Sequence, residues 1–246
     1  MSKYANDHAA SDFSALEPYK ISKDLKIPNY LEETYWWAYV HPNSIQIFER
    51  QWLVNFILWG NFARLRDVAI NEAGITISGN NLQVACVYGD FSQQLSKRLD
   101  SESQLHIVDI APIQLQNVYN KIKNNSNVFL HHQDSTSLKF EDESFDNIFV
   151  FFLLHEQPET VRAKTVEEVM RVVKPGGKVI FVDYHKPHWL NPLAYLMRPV
   201  LHLLEPYALA IWRKEIIDWV PPGLRPSHIS KETLFGDLYQ KVTMIR

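Results

Sequence analysis

Acids and histidines stand where the short apolar runs of this chain stop. Tyr88-Gly89-Asp90 follows the run 82–87, Asp109-Ile110 follows 105–108, and Gln133-Asp134-Ser135 follows 128–130. Leu154-His155-Glu156 follows 145–153, and Asp183-Tyr184-His185 closes 178–183. Asp109 comes twenty positions after Gly89, a spacing at which a carboxylate can take both hydroxyls of a ribose. Asp134 with Ser135 can accept from an adenine amino group. Tyr88, Asp90 and His155 are the candidate acid–base groups, and Asp90, Asp183 and His185 are candidate hard N/O ligands for a divalent metal. Each residue also has a plainer use. Asp90 and Asp109 can cap the helices that follow them, Asp134 and Ser135 can cap a turn, His155 can be a satisfied histidine, and Asp183 can pair with Lys186.

These residues share a site only if the runs are parallel strands. Runs at 82–87, 105–108, 128–130, 145–153 and 178–183 alternate with helical patterns at 91–99, 112–123 and 160–173, which predicts a mostly parallel sheet with helices on both faces. In such a sheet, ligands bind beyond the carboxyl ends of the strands, where strand order reverses. Lys174-Pro175-Gly176-Gly177 reads as a helix stop and turn. The segment 233–244 holds a Gly-Asp pair between strand-like residues and predicts a terminal hairpin or a bulged strand completing the sheet.

The chain ends of this domain carry less regular sequence. Residues 1–30 read as a loosely ordered lead-in, 31–78 as an N-terminal helical region and 79–246 as the α/β domain, with an apolar helical cap at about 187–225 after the fifth strand. Ile45, Phe48, Trp52, Phe56, Trp59 and Leu65 recur at helical spacing, which predicts one long amphipathic helix or two shorter ones ending near Gly74. Seven tryptophans, with Trp36, Trp37, Trp52 and Trp59 crowded early, fit either a core or a surface at lipid headgroups. The net charge of −3 gives no general attraction for nucleic acid. The single cysteine, Cys86, rules out an intrachain disulfide, and no secretory signal is expected at the N-terminus.

Asp109, Asp134 in its Gln-Asp-Ser-Thr-Ser-Leu context, and Val173-Lys174-Pro175-Gly176-Gly177-Lys178 resemble the later motifs of class I S-adenosylmethionine (SAM)-dependent methyltransferases. The resemblance implies a Rossmann-like fold, a ribose contact at Asp109 and Ile110, and an adenine contact near Asp134 and Ser135. The first motif departs from that family: the usual acid is Cys86, and the usual glycines are Tyr88, Asp90 and Ser92.

Tyr35-Trp36-Trp37-Ala38-Tyr39, Phe48-Glu49-Arg50-Gln51-Trp52, the Tyr88-Gly89-Asp90 loop and the tail from Leu234 to Lys241 are similar to the RquA family of rhodoquinone biosynthesis proteins. That resemblance implies conversion of ubiquinone to rhodoquinone, an amino group replacing a ring methoxy group, with SAM as amino donor and Mn²⁺ as metal. It implies that Tyr88, Gly89 and Asp90 face the amino-acid end of SAM. A prenylated substrate needs a long apolar groove, which 36–59 and 188–219 can supply, and with the reducing compartment that a single cysteine fits, a cytoplasmic protein attached peripherally to the inner, quinone-containing membrane is expected. Two other readings stay open: methyl transfer to a prenylated quinone, and quinone binding without catalysis.

Overall fold

A computed structural model describes residues 20–22, 24–41, 44–122 and 125–246. Four short helices lead in: α1 (Asn29–Tyr35), α2 (Ser44–Phe48), α3 (Gln51–Ile57) and α4 (Phe62–Ala73), with a π-turn at Trp36–Val40 after α1. The expected one or two amphipathic helices are thus three, α2 to α4. Extended backbone at Arg50 and left-handed backbone at Trp59 (φ 53°) and Gly60 (φ 77°) break the period.

The alternating part runs β1 (Asn80–Val84), α5 (Phe91–Ser96), β2 (Gln104–Asp109), α6 (Pro112–Ile122), β3 (Val128–His132), β4 (Phe145–Phe151), α7 (Glu159–Val172) and β5 (Val173–Tyr184). The cap follows as α8 (Pro192–Leu204) and α9 (Ala208–Ile211), and β6 (His228–Leu234) with β7 (Tyr239–Ile245) closes the chain. The described strands form one sheet in the order β3-β2-β1-β4-β5-β7-β6, with β7 antiparallel to β5 and to β6 and the rest parallel. Strand order reverses between β1 and β4, so the ends of β1, β2 and β4 flank the switch point.

Burial explains the apolar runs. Leu82 and Val84 of β1, Phe149 and Ile148 of β4, and Val179 and Phe181 of β5 are all within 1% of complete burial, covered by helices on both faces. Of the two expected arrangements the tail takes the hairpin, and Phe235, Gly236 and Asp237 all have positive φ in its turn. Of the boundaries that differ from expectation, two shape the site. β1 stops at Val84, because Ala85 turns to φ 67°. β5 starts directly at the end of α7, so Lys174-Pro175-Gly176-Gly177 is the irregular first part of a strand, with a register shift against β4.

His106 of β2 and His131 of β3 lie ring on ring, with Nδ1 of the first 2.8 Å from Nε2 of the second, among Phe129, Phe140 and Phe145. Burial, then the neighbouring His131, pushes His106 down to about 4, and burial lowers His131 as well. The unfolded chain takes up protons near pH 6.5 that the folded pair refuses, so stability falls as pH drops from about 6.5 toward 4 and is unaffected above. A loss of about 1–2 kcal/mol is expected after allowing for solvent screening. Thermal melts of His131→Phe at pH 7 and pH 5 should show a smaller acid shift than wild type; an equal shift would assign the acid sensitivity elsewhere.

Candidate functional site

Beyond the carboxyl ends of β1, β2, β3 and β4 lies a cleft open to solvent at its mouth. Its floor and walls come from Ala85 and Cys86 after β1, Asp109, Ile110 and Ala111 after β2, Gln133, Asp134 and Ser135 after β3, and Glu156 and Gln157 after β4. Pro28, Tyr30 and Leu31 close it from the N-terminal side. The positive φ of Ala85, rare for a residue with a side chain, bends the chain out of β1. That bend aims the Cys86 N–H at Asp109 Oδ2, 2.7 Å away, while Asp109 Oδ1 accepts from the Ala111 N–H at 2.7 Å.

Asp109 thus closes a turn onto Ala111, ahead of α6, rather than capping the first turn of the helix, and it also lines the cleft. Burial pushes its carboxyl up to about 6, against the pull of the backbone N–H groups from Ala111 and Cys86. Asp134 has a similar double placement. Its Oδ1 accepts from the N–H and hydroxyl of Thr136, both at 2.8 Å, and the residue lines the cleft beside Ser135. Ser135 Oγ meets Thr165 Oγ1 at 2.9 Å and accepts from Gln157 Nε2 at 3.1 Å. His132 fixes the rim: its Nδ1 accepts from the Ser22 N–H, which leaves the proton on Nε2 to donate to the Ile110 carbonyl at 2.9 Å.

Tyr30 is a cleft residue that the sequence reading placed inside the lead-in. Its phenol is raised by burial and then by the charges of Glu156, Asp134 and Asp109, so it stays protonated among three carboxylates. Gln157 and Gln114 also line the cleft. No local motif marks these residues; only the C-terminal-edge rule, applied to the positions after Glu156, points to Gln157.

Tyr88, Gly89 and Asp90 go elsewhere. None of them lines the cleft. The Tyr88 hydroxyl donates to the Ala38 carbonyl and accepts from Gln114 Nε2 at 2.8 Å, and its ring packs 5.6 Å from Phe48. The Gly89 N–H donates to Glu49 Oε1 at 3.0 Å, and its carbonyl accepts from Lys121 Nζ at 2.7 Å. Asp90 takes both oxygens to Arg66 Nη1 at 2.7 Å and accepts from Gln94 Nε2 at 3.0 Å. Burial raises its carboxyl, but the bonds from Arg66 and Gln94 prevail and hold it below the usual carboxylate range. The expected base is thus a weak one, tied to a guanidinium.

The rewritten loop matches the N-terminal helical region, which clamps all three of its residues. Gly89 shows how closely. It has φ 88°, and a Cβ built there would lie 2.7 Å from Cζ of Phe62, which is itself buried. Gly89→Ala is expected to destabilise the fold by about 1–3 kcal/mol, through strained backbone and overpacking. Denaturant unfolding measures this, and an unchanged midpoint would mean that the loop and α4 are not packed together.

His155 lies buried beneath the cap. Its Nδ1 is 2.9 Å from Asp183 Oδ1, an electrostatic contact rather than a well-directed hydrogen bond, and its Nε2 is 3.7 Å from Glu156 Oε1. Asp183 also accepts from the backbone N–H groups of Tyr184 at 2.7 Å and His155 at 3.2 Å. Burial pulls the imidazole down, but the Asp183 charge and contact, with Glu205 and Glu156 behind them, raise it to about 9. Arg162, fully buried, sets the frame of this corner. It donates to the carbonyls of Leu154, Gln157 and Tyr207, joining the turn after β4 to the cap.

The proposed metal trio is not brought together. Asp90 is held by Arg66, Asp183 pairs with His155 rather than with Lys186, and His185 spends its Nδ1 on the Asp237 carbonyl with Lys231 Nζ 3.0 Å from its Nε2. Among the described residues, no group of three or more His, Cys, Asp or Glu side chains is arranged to hold a metal ion. The residues named for manganese do not fit it.

Residues 82–177 match a family model described as a methyltransferase domain. The chain is 31% identical over 135 residues to the demethylmenaquinone methyltransferase of Staphylococcus aureus, a match covering 55% of each chain. It is 28% identical over 135 residues to the enzyme of the same name from Staphylococcus haemolyticus, covering 55% of this chain and 56% of that one. The chain thus spans about half the length of these relatives. Among solved structures, Haemonchus contortus phosphoethanolamine N-methyltransferase 2, in complex with SAM, aligns with a TM-score of 0.60 at 16% identity, over 88% of this chain and 59% of that one. The N-methyltransferase NodS of Bradyrhizobium japonicum aligns with a TM-score of 0.54 at 13% identity, over 77% and 96%. The fold is the Rossmann-like methyltransferase α/β fold.

Proposed function

We propose that the cleft binds SAM and that the chain uses it to modify a prenylated quinone, placing an amino group where ubiquinone carries a methoxy group to give rhodoquinone. The observation that carries the SAM part is the convergence of Asp109, Asp134 and Ser135 on one cleft at the switch point, inside the stretch that matches a methyltransferase domain. The donor set fits a nucleoside. Asp109, mostly ionised at neutral pH, presents acceptors for ribose hydroxyls, and Asp134 with Ser135 presents acceptors for an exocyclic amine. Glu156 and Tyr30 supply a carboxylate and a protonated phenol on the remaining wall.

Bound there, SAM supplies either a methyl carbon or an α-amino nitrogen to the ring. The quinone part is supported by the names of the relatives, which act on demethylmenaquinone. Amino transfer is supported by the first-motif loop, whose usual acid and glycines are replaced by Cys86, Tyr88, Asp90 and Ser92. Methyl transfer is the second reading, favoured by the methyltransferase-domain match.

The test is to incubate the full chain with SAM and a short-prenyl ubiquinone, with and without Mn²⁺, and to weigh the quinone product. Exchange of methoxy for amino, with label arriving from ¹⁵N-SAM, is expected. A methyl gain would replace this reading with the second, and SAM binding without any product would leave only the cleft. Equal product without Mn²⁺ would remove the metal, in keeping with the separated trio.

A further inference from the structure

We infer that α3 and α8 together form a docking face for an anionic lipid bilayer. Both helices are apolar on two sides. Val54 of α3 and Met197 and Leu201 of α8 are buried in one core cluster, while Trp52 (64% exposed) and Phe56 (70%) of α3, and Leu196 and Leu203 (80%) of α8, point outward. Trp52 and Phe56 are one helical turn apart, and Leu196, Val200 and Leu203 form a stripe along α8, so each outward set is a continuous face. Trp59, just past α3, donates its indole N–H to Met197 Sδ at 3.0 Å and fixes the end of α3 against the middle of α8. Trp189, 70% exposed, stands just before α8 at the same junction of cap and helical region.

Contiguous exposed apolar surface of this kind marks an interaction site. Charge decides the occupant. Arg50 and Arg64 beside α3, and Lys186 and Arg198 before and on α8, are exposed, and 51–65 and 184–204 contain no acid, in a chain whose net charge is −3. Exposed apolar stripes, one of them bearing Trp52, with exposed basic residues on the same two segments suit an anionic headgroup layer over acyl chains, with the helices lying in its plane. No helix among the described residues is long and apolar enough to cross a membrane. The face lies outside the cleft lining and does not depend on which group the cleft transfers.

The test is flotation of the full chain with vesicles of phosphatidylcholine alone or with phosphatidylglycerol added. Co-flotation with the phosphatidylglycerol vesicles is expected, weakened by high salt, with a blue shift of tryptophan emission on binding. Phe56→Glu with Leu203→Glu should reduce vesicle affinity at least tenfold. Both side chains are largely solvent-exposed, so circular dichroism, melting temperature and SAM affinity should not change. Wild type that stays unbound to both vesicle types at low salt, or a double variant that floats like wild type, would overturn the proposal. So would light scattering that shows a dimer broken by the same double substitution with no vesicle binding, since the face would then belong to a second copy. SAM binding and product mass, read separately, distinguish a failure of the docking face from a failure of the cleft reading.

Discussion

Asp109→Asn is expected to weaken SAM binding by about 10- to 100-fold, the range set by losing a charged hydrogen-bond acceptor. The wild-type carboxylate gives one oxygen to the Cys86 N–H and the other to the Ala111 N–H, and the second lone pairs remain for a ligand at the cleft. Asparagine keeps one of the two backbone bonds and loses the charge. Asp109→Ala removes both acceptors and leaves two buried N–H groups unsatisfied, which costs about 2–4 kcal/mol of stability.

Acid separates binding from folding at this residue. Its folded value, about 6, is above the unfolded one, so the stability linked to it is fully present below about pH 4 and is lost as pH rises through 6. Ligand binding to the ionised form runs the other way and should fade as pH falls below 6. Isothermal titration of SAM at pH 8 and pH 5 should show the wild-type affinity dropping and the Asp109→Asn affinity staying level. Equal affinity of wild type and Asp109→Asn at pH 8 would leave Asp109 as a turn-forming residue and move the ribose elsewhere.

The legible part of this site follows from what repeats along the chain. Period and spacing give the parallel strands, and the rule about their carboxyl ends then brings Asp109, Asp134 and Ser135 to one cleft, because a strand end is a position and not a direction. Direction is where the reading breaks. Tyr88 and Asp90 also stand at a strand end, yet the left-handed turn at Ala85 ends β1 early, and the loop then faces Ala38, Glu49 and Arg66. Those partners are between about 24 and 50 positions away in sequence, and no local pattern encodes such a pairing. The same limit hid Tyr30, which reaches the cleft from α1, and Arg162, an ordinary helix residue in sequence whose guanidinium is fully enclosed. The metal trio failed for the same reason: each member found a nearer ionic or carbonyl partner than the other two.

Asp183→Asn is expected to convert the buried histidine beneath the cap from a cation to a neutral ring. In wild type, burial opposes the imidazolium, and the Asp183 charge 2.9 Å away, helped by Glu205 and Glu156, outweighs it and sets the value at about 9. Without that charge the burial effect prevails, and His155 should titrate below its unfolded value near 6.5. Stability linked to His155 is fully present below pH 6.5 and is lost as pH rises through 9, so the wild-type melting temperature should decline across that window. The profile of His155→Gln should be flat there. Breaking a buried pair from one side costs about 3–5 kcal/mol, less in the asparagine variant because it can still accept from the Tyr184 or His155 N–H. The functional consequence runs through Glu156, whose carboxylate lines the cleft and lies 3.7 Å from the imidazole. Asp183→Asn removes the cation beside a residue of the cleft wall, so it should shift the pH profile of turnover. Proton-detected NMR of the His155 ring measures the titration directly. A wild-type ring that titrates at or below 6.5 would dissolve the ion pair, and with it the link from the cap to the cleft.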